Sequence, residues 1–197
     1  MPARHRSNAL ALAVLSCLAQ RPMHPYEVSQ TLRSRSAHDA VRLNYGSLYS
    51  VVASLEKKGF VRIRETIREG RRPERTIYEI TDLGSRELVD WLSDLVATPV
   101  KEYLQFEAAL AFLAGLAPED ALAQLRERHE TLRREVVASQ AARQSATSEG
   151  LPRLFILEAE YVGMLREAEM EWVEALIKDI EDGSLDGLEY WRSWYAN

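Results

Sequence analysis

The chain has 197 residues, of which 46% are hydrophobic and 28% are charged, values that are typical of soluble globular domains. It contains no run of about eighteen apolar residues, so we expect no membrane span. Cys17 is the only cysteine, which excludes a disulfide framework and fits a reducing cytoplasm.

The net charge of -5 is unevenly distributed along the chain. Residues 1–98 hold 15 Lys and Arg against 11 Asp and Glu, whereas residues 99–197 hold 10 against 19. A basic half joined to an acidic half is typical of a nucleic-acid-binding part beside a part with another role. Chance and solvated helix faces would give the same asymmetry. We place the predicted domain boundary between residues 98 and 99.

The first half begins with helical periodicity and then changes to the period of strands. Apolar spacing predicts helices over 7–20, 25–34 and 45–58, and Gly59 is a suitable C-terminal stop for the third. Alternation over 60–64 and 76–80 predicts a β-hairpin with an arginine-rich tip. Thr81 and Asp82 then cap a fourth helix that reaches about Val96.

The second half has helical periodicity almost throughout. The pattern predicts helices over 102–115, 118–145 and 152–182, with a loop over 144–150 and an aromatic tail over 188–195. The predicted fold is therefore mainly α with a small β-hairpin. An N-terminal winged helix-turn-helix, residues 1–98, precedes an all-helical C-terminal domain, residues 99–197.

The order helix, helix, helix, hairpin is that of a winged helix-turn-helix, in which a helix enters the major groove of DNA. Leu48, Val52 and Leu55 form the predicted buried stripe of the third helix. Its other face carries tyrosines and hydroxyls, which suit contacts with phosphates and bases. Between Lys57 and Arg75 there are eight basic residues and three acidic ones. The candidate DNA-binding residues are Arg42, Tyr45, Ser47, Tyr49, Ser50, Ser54, Lys57, Arg71, Arg72 and Arg75.

Two other kinds of function stay open from the residues alone. Winged helices also serve as protein–protein interaction modules, and the helical half could instead carry a small molecule. An enzyme is not expected, because the sequence has neither a Gly-rich phosphate loop nor a nucleophile elbow. We expect no cofactor and no metal site, since the four histidines are scattered and none pairs with cysteine at ligand spacing.

Several motifs in the first hundred residues resemble those of PadR-type transcriptional regulators. They are Gly46-Ser47-Leu48-Tyr49, the stretch Leu55-Glu56-Lys57-Lys58-Gly59-Phe60-Val61, Tyr26 after Met23-His24, and Gly70-Arg71-Arg72-Pro73 leading to Tyr78-Glu79-Ile80-Thr81 and Gly84. The chain departs from the family pattern at Ser50, at Pro25 and in the wing at Arg72-Pro73-Glu74. The acidic helical half resembles, in size and texture, the dimerisation domain of the virulence-activator branch of that family.

The resemblance implies a cytoplasmic bacterial regulator, most commonly a repressor, that binds a pseudo-palindromic operator as a homodimer. The apolar stripe of the helix predicted over 152–182 independently needs a partner, in the same chain or in a second copy. The residues that we assign to dimerisation are Leu154, Leu157, Tyr161, Met164, Leu165, Trp172 and Leu176.

The resemblance also implies release by a small molecule, because some PadR-type proteins bind flat aromatic effectors between their domains. Aromatic side chains suit the walls of such a cavity. The candidates for an effector cavity are Trp91, Phe106 and Phe112, and ordinary core packing is the alternative for each of them.

Overall fold

The computed structural model describes residues 8–34, 45–68 and 75–196. The chain divides into two compact units, Met1–Lys101 and Glu102–Asn197. It is mainly helical with one two-stranded antiparallel sheet, which confirms the predicted fold class. Within the described ranges, no helix is both long enough and apolar enough to cross a membrane.

The N-terminal unit contains helices and both strands. They are α1 (Ala9–Leu18), α2 (Pro25–Ser34), α3 (Tyr45–Lys57), β1 (Val61–Ile67), β2 (Arg75–Ile80) and α4 (Asp82–Ala97). The C-terminal unit contains only helices among its described residues. They are α5 (Gln105–Ala111), α6 (Pro118–Ser148), α7 (Leu157–Glu181) and α8 (Leu188–Ser193), with 3-10 turns at Leu113–Gly115 and Arg153–Phe155.

Helix α1 forms the centre of the N-terminal core. Its side chains are apolar on nearly every side, and it packs against α2, α3, α4 and β2. Val14 and Leu15 are completely buried, as is Leu48 of α3. Cys17 is also buried, as expected for a structural thiol. Asn8 is the N-cap of this helix, and its side-chain oxygen accepts hydrogen bonds from the backbone N–H groups of Leu10 at 3.1 Å and Ala11 at 3.3 Å.

Helix α3 ends in the glycine turn that the sequence predicts. Gly59 has a φ of +74°, a conformation that suits a residue without Cβ. The Phe60 amide donates to the Leu55 carbonyl at 2.9 Å, and the Gly59 amide donates to the Glu56 carbonyl at 2.8 Å. This pair of bonds is the Schellman arrangement, which satisfies carbonyls at the end of the helix and directs the chain into β1.

Strands β1 and β2 pair antiparallel, with Val61 opposite Ile80 and a bulge between Ile63 and Glu65. The strands are longer than predicted and reach Ile67 on one side. Backbone bonds of 3.0 Å in both directions join Tyr78 to Met23. The turn that precedes α2 is therefore attached directly to the wing.

The start of α4 depends on a close approach of two backbones. Thr81 is the N-cap, and its hydroxyl accepts from the Gly84 amide at 3.1 Å and donates to the Gly59 carbonyl at 2.7 Å. A Cβ added at Gly84 would lie 2.0 Å from the Phe60 carbonyl oxygen. Only glycine fits at position 84, so the close packing of the two backbones explains why the sequence motif has glycine there.

The C-terminal unit is built on the long helices α6 and α7. Its core joins Leu125 and Leu132 of α6 to Val173 of α7, and adds Leu188 and Trp191 of α8. The α8 tail docks on its own unit, because the Trp191 indole N–H donates to the Leu116 carbonyl at 2.9 Å and the Tyr195 hydroxyl donates to the Ala114 carbonyl at 2.8 Å.

Arginine–glutamate pairs join α6 to α7. The pairs are Arg126 with Glu181 at 2.6 Å, Arg128 with Glu169, Arg143 with Glu167 at 3.2 Å, and Arg166 with Glu135 at 3.3 Å. Their order along the chain shows that the two helices run antiparallel. Such pairs contribute little individually when exposed, but they fix which faces of the helices meet.

Helix α6 continues through most of the segment that the sequence predicts as a loop over 144–150. Hydroxyl side chains there bond within the helix, with Thr147 donating to the Arg143 carbonyl and Ser148 donating to the Gln144 carbonyl, each at 2.9 Å. The turn is confined to the residues around Gly150, which has a φ of +77°. The loop prediction was therefore wrong for residues 144–148.

Candidate nucleic-acid interface

Helix α3 has one buried and one exposed face. Leu48, Val52 and Leu55 are buried, as the sequence predicts, and they hold the helix against the rest of the core. The helix therefore cannot rotate without losing this packing. Its opposite face is directed outward as a fixed surface.

The exposed face of α3 carries most of the residues that the sequence selects on this helix. Ser47, Ser50, Ser54 and Lys57 are all exposed. The Ser50 hydroxyl donates to the Gly46 carbonyl one turn earlier, at 3.1 Å. That bond uses the hydroxyl hydrogen and leaves the oxygen able to accept. Tyr45 begins α3, and only its backbone is described.

Tyr49 is half exposed and is supported by His24, which the sequence alone did not indicate as part of this surface. The His24 ring packs edge-on against Tyr49, with the ring centroids 6.3 Å apart. His24 precedes α2, where its Nδ1 accepts from the Tyr26 amide at 3.1 Å and its own amide donates to Glu27 at 2.9 Å. These bonds form a capping box with histidine in the N-cap position, where sequence patterns expect Ser, Thr, Asp or Asn.

The environment of His24 favours the neutral imidazole. Partial burial, followed by the nearby positive charge of Arg75, lowers the pKa of His24, while Glu27 acts in the opposite direction. A neutral ring is also what the bond at Nδ1 requires, because that nitrogen accepts a hydrogen there. The electrostatic effect of Arg75 links the wing to the turn before α2.

The wing carries exposed arginines that are partly neutralised. The Arg62 Nε lies 2.7 Å from a carboxylate oxygen of Glu79, and Arg64 lies 3.7 Å from the other oxygen. Arg75 is exposed at the start of β2. The predicted contact residues Arg42, Arg71 and Arg72 lie outside the described residues.

The residues assigned to dimerisation lie on two sides of α7 and the turn before it. Leu154, Leu157, Tyr161, Met164, Leu165 and Trp172 are all more than 40% exposed. Leu176 instead is partly buried and packs against the core of its own unit. Gly163, Val173 and Ile180 are the buried positions of α7. The exposed stripe therefore borders the face that contacts α6, and its residues Leu157, Tyr161 and Met164 line a groove together with residues of α6.

The three candidates for an effector cavity line two different cavities. Trp91 lines one of about 340 Å³ whose lining residues all belong to the N-terminal unit. Phe106 and Phe112 line one of about 620 Å³ in the C-terminal unit. The guanidinium carbon of Arg128 lies over the Phe106 ring, 3.6 Å from the centroid of that ring. Phe112, in contrast, is 80% exposed. Among the described residues, no cluster of His, Cys, Asp and Glu could hold a metal ion.

Solved structures with the same fold cover both units of the chain. Bacillus subtilis PadR in complex with operator DNA has a TM-score of 0.70 and 18% identity, over 87% of this chain and 99% of that one. The same protein in complex with p-coumaric acid has a TM-score of 0.71 and 17% identity, over 87% and 98%. The Vibrio cholerae virulence activator AphA has a TM-score of 0.66 and 19% identity, over 88% and 98%.

The sequence itself matches a family model over the winged-helix region. Residues 14–90 match the transcriptional regulator PadR-like family. Among curated proteins, none matches the sequence significantly. The matched residues include the buried stripe of α3, the glycine turn at Gly59 and the capped start of α4. The winged-helix unit is therefore similar to the transcriptional regulator PadR-like family over residues 14–90.

Proposed function

We propose that the protein is a regulator that binds operator DNA through residues 1–98 and dimerises through residues 99–197. The proposal rests mainly on the two faces of α3. Its buried stripe fixes the helix in the core, and Ser47, Tyr49 and Ser50 are exposed to solvent. Hydroxyls on an exposed helix beside an arginine-bearing hairpin suit a major groove with its flanking phosphates. The operator complex of the Bacillus subtilis relative supports the same role.

The homodimer in this proposal rests on the exposed stripe of α7. Large apolar side chains such as Tyr161, Met164 and Leu165 are exposed along α7, whereas Val173 and Ile180 of the same helix are buried. A contiguous apolar surface of this kind is typical of a protein interface. A two-fold dimer would present two α3 helices to the two halves of a pseudo-palindromic operator.

We propose that the protein represses transcription and that it acts in the cytoplasm. Binding of a small aromatic molecule would release it from the operator. A dimer that covers two half-sites excludes other proteins from the same stretch of DNA. The complex of the Bacillus subtilis relative with p-coumaric acid supports an aromatic effector. Raised expression of a promoter reporter when the chain is deleted would support repression, and lowered expression would contradict it.

The direct test is the salt dependence of binding to the DNA upstream of the chain's own coding sequence. Fluorescence anisotropy of a labelled fragment should show binding that weakens as salt rises, because phosphate contacts release counterions. Arg75→Ala should weaken binding and reduce the slope of log K against log salt by about 0.9 if Arg75 contacts one phosphate.

Arg192→Ala is the matched control. Arg192 lies on α8 and pairs with Glu189 on the same short helix, so this variant should bind DNA like the wild type. Equal slopes for Arg75→Ala and the wild type would remove Arg75 from the interface. Binding that is absent, or insensitive to salt, on every promoter fragment would favour a protein-interaction module instead.

A further inference from the structure

Tyr49 is the largest side chain on the exposed face of α3 among the residues whose side chains are described. It is 50% exposed, so about half of its surface is covered by other residues. A tyrosine turns about two torsions, and a ring that is free to turn must be ordered when it binds a partner. The contacts that hold the ring before binding therefore affect how tightly Tyr49 can contact DNA.

The ring of His24 lies against the ring of Tyr49. The ring centroids are 6.3 Å apart, and the ring planes meet at 72°. This edge-to-face arrangement is one that aromatic rings prefer, with centroids between about 4.5 and 7 Å apart. His24 directly precedes α2, so a residue outside α3 supports the side chain that α3 exposes.

The His24 ring is itself held in place, because both its side chain and its backbone are bonded to α2. Its Nδ1 accepts from the Tyr26 amide at 3.1 Å, and its own backbone amide donates to the Glu27 carboxylate at 2.9 Å. The first bond restricts rotation of the ring, and the second restricts the backbone that carries it. The start of α2 therefore sets the orientation of the His24 ring against Tyr49.

The turn that carries His24 is also attached to the wing. Met23 is 2% exposed, and it exchanges two backbone hydrogen bonds of 3.0 Å with Tyr78 of β2. A close-packed anchor of this kind restricts movement of the turn. The His24 ring is thus held beside α3 by two elements, α2 and β2, that are separate from α3.

We propose that His24 is a positioning residue for DNA binding, whose ring holds the Tyr49 side chain in the orientation in which Tyr49 contacts the operator. The inference rests on the DNA-binding part of the proposed function and adds a residue outside α3 to it. Without the His24 ring, Tyr49 would have to be ordered on the DNA, and binding would weaken. His24 acts through Tyr49 and needs no contact of its own with DNA.

Two substitutions separate the ring of His24 from its capping bond. His24→Asn removes the ring but keeps a side-chain acceptor for the cap of α2, since asparagine is a favourable N-cap residue. His24→Phe keeps an aromatic ring but removes the acceptor. Binding of the full-length variants to the labelled upstream fragment is measured by fluorescence anisotropy, and their stability is measured by urea denaturation, both above pH 7. Low salt keeps the weaker complexes measurable.

The two measurements should rank the variants in opposite orders. His24→Asn should bind DNA roughly fivefold more weakly than the wild type and unfold at nearly the same urea concentration. His24→Phe should bind DNA within about twofold of the wild type but unfold at a lower urea concentration, because the cap of α2 is lost. A role of His24 in stability alone would give the same order in both measurements.

A double-mutant cycle tests whether Tyr49 transmits the effect. Tyr49→Ala removes the side chain that His24 supports, so adding His24→Asn to Tyr49→Ala should weaken DNA binding no further. His129→Asn is the matched control, because His129 lies on α6 in the C-terminal unit. This control should bind DNA like the wild type.

Three results would overturn the positioning role: an unchanged affinity of His24→Asn, an equal loss of affinity in His24→Asn and His24→Phe, or an additive loss in the double variant. Each is measured against a wild type that binds DNA with the expected salt dependence, so each leaves the proposed function standing. A wild type that binds no promoter fragment would instead contradict the proposed function, and the positioning role with it.

Discussion

Gly84 marks the contact between the start of α4 and the turn that follows α3. Its missing side chain allows the Phe60 carbonyl to approach, and a Cβ would lie 2.0 Å from that oxygen. Gly84→Ala should therefore lower the free energy of unfolding by roughly 3 kcal/mol, because backbone on both sides must shift. Urea denaturation of the full chain measures this loss.

Gly115→Ala is the matched control for Gly84→Ala. Nothing lies within 4 Å of a Cβ built at Gly115, and its φ is not in the left-handed region. The control should unfold at nearly the same urea concentration as the wild type. Equal stability of Gly84→Ala and Gly115→Ala would show that the close approach at Phe60 is not a constraint.

His24 should make stability depend on pH. Its pKa is lowered below 6.5 in the folded chain, first by burial and then by Arg75. Below pH 6.5 the unfolded chain therefore binds a proton more readily than the folded chain does. Stability is complete above pH 6.5 and falls as the pH drops through the lowered pKa of His24.

The variant His24→Asn tests this dependence. Asparagine keeps a side-chain acceptor for the cap of α2 but does not titrate. The wild type should lose more thermal stability than His24→Asn when the pH is lowered from above to below 6.5. Parallel curves for the two proteins would mean that the protonation of His24 is not coupled to folding.

At the scale of elements, the local features of the N-terminal unit could be predicted from the sequence. The 3.6-residue period of α3 predicts its buried stripe, and Gly59 predicts where it ends, because both depend on residues close in the chain. Thr81 is likewise a local signal for the start of α4. These features are confirmed.

Features that depend on distant residues could not be predicted in the same way. Glu167 and Glu169 look like a solvated face in the sequence, yet they pair with arginines of α6. The polar run over 144–148 resembles a loop, but its hydroxyls bond within α6. The ring contact of His24 with Tyr49 joins residues that lie 25 positions apart in the chain.

The exposed stripe of α7 gives a prediction about assembly. Met164 is 53% exposed, so Met164→Glu should leave the fold of one chain intact while placing a charge in the proposed dimer interface. An unpaired buried charge is costly, and the dimer should dissociate. Sedimentation velocity should show a dimer for the wild type and a monomer for the variant.

Leu83→Glu controls for the chemistry of that substitution. Leu83 is 47% exposed in the first turn of α4, where a negative charge suits the helix N-terminus. This variant should remain a dimer. A wild type that sediments as a monomer, or a Met164→Glu variant that stays dimeric, would contradict the assignment of the α7 stripe to dimerisation.

For the whole molecule, the uneven charge fits the different roles that we propose for residues 1–98 and 99–197. The overall acidity belongs to residues 99–197, whereas residues 1–98 carry the excess of Lys and Arg. An acidic helical unit disfavours contact with DNA phosphates, and a basic winged helix favours it. The distribution of charge is therefore more informative about the proposed function than the net charge.

In the proposed complex, the two winged helices of a dimer bind one operator. A hydroxyl-radical footprint on the upstream DNA tests both the dimer and its binding to DNA in one measurement. We expect two protected half-sites, related by a dyad and separated by about one helical turn, roughly 10 base pairs, or a multiple of it. A single protected site, or no protection at salt concentrations where the protein is folded, would contradict it.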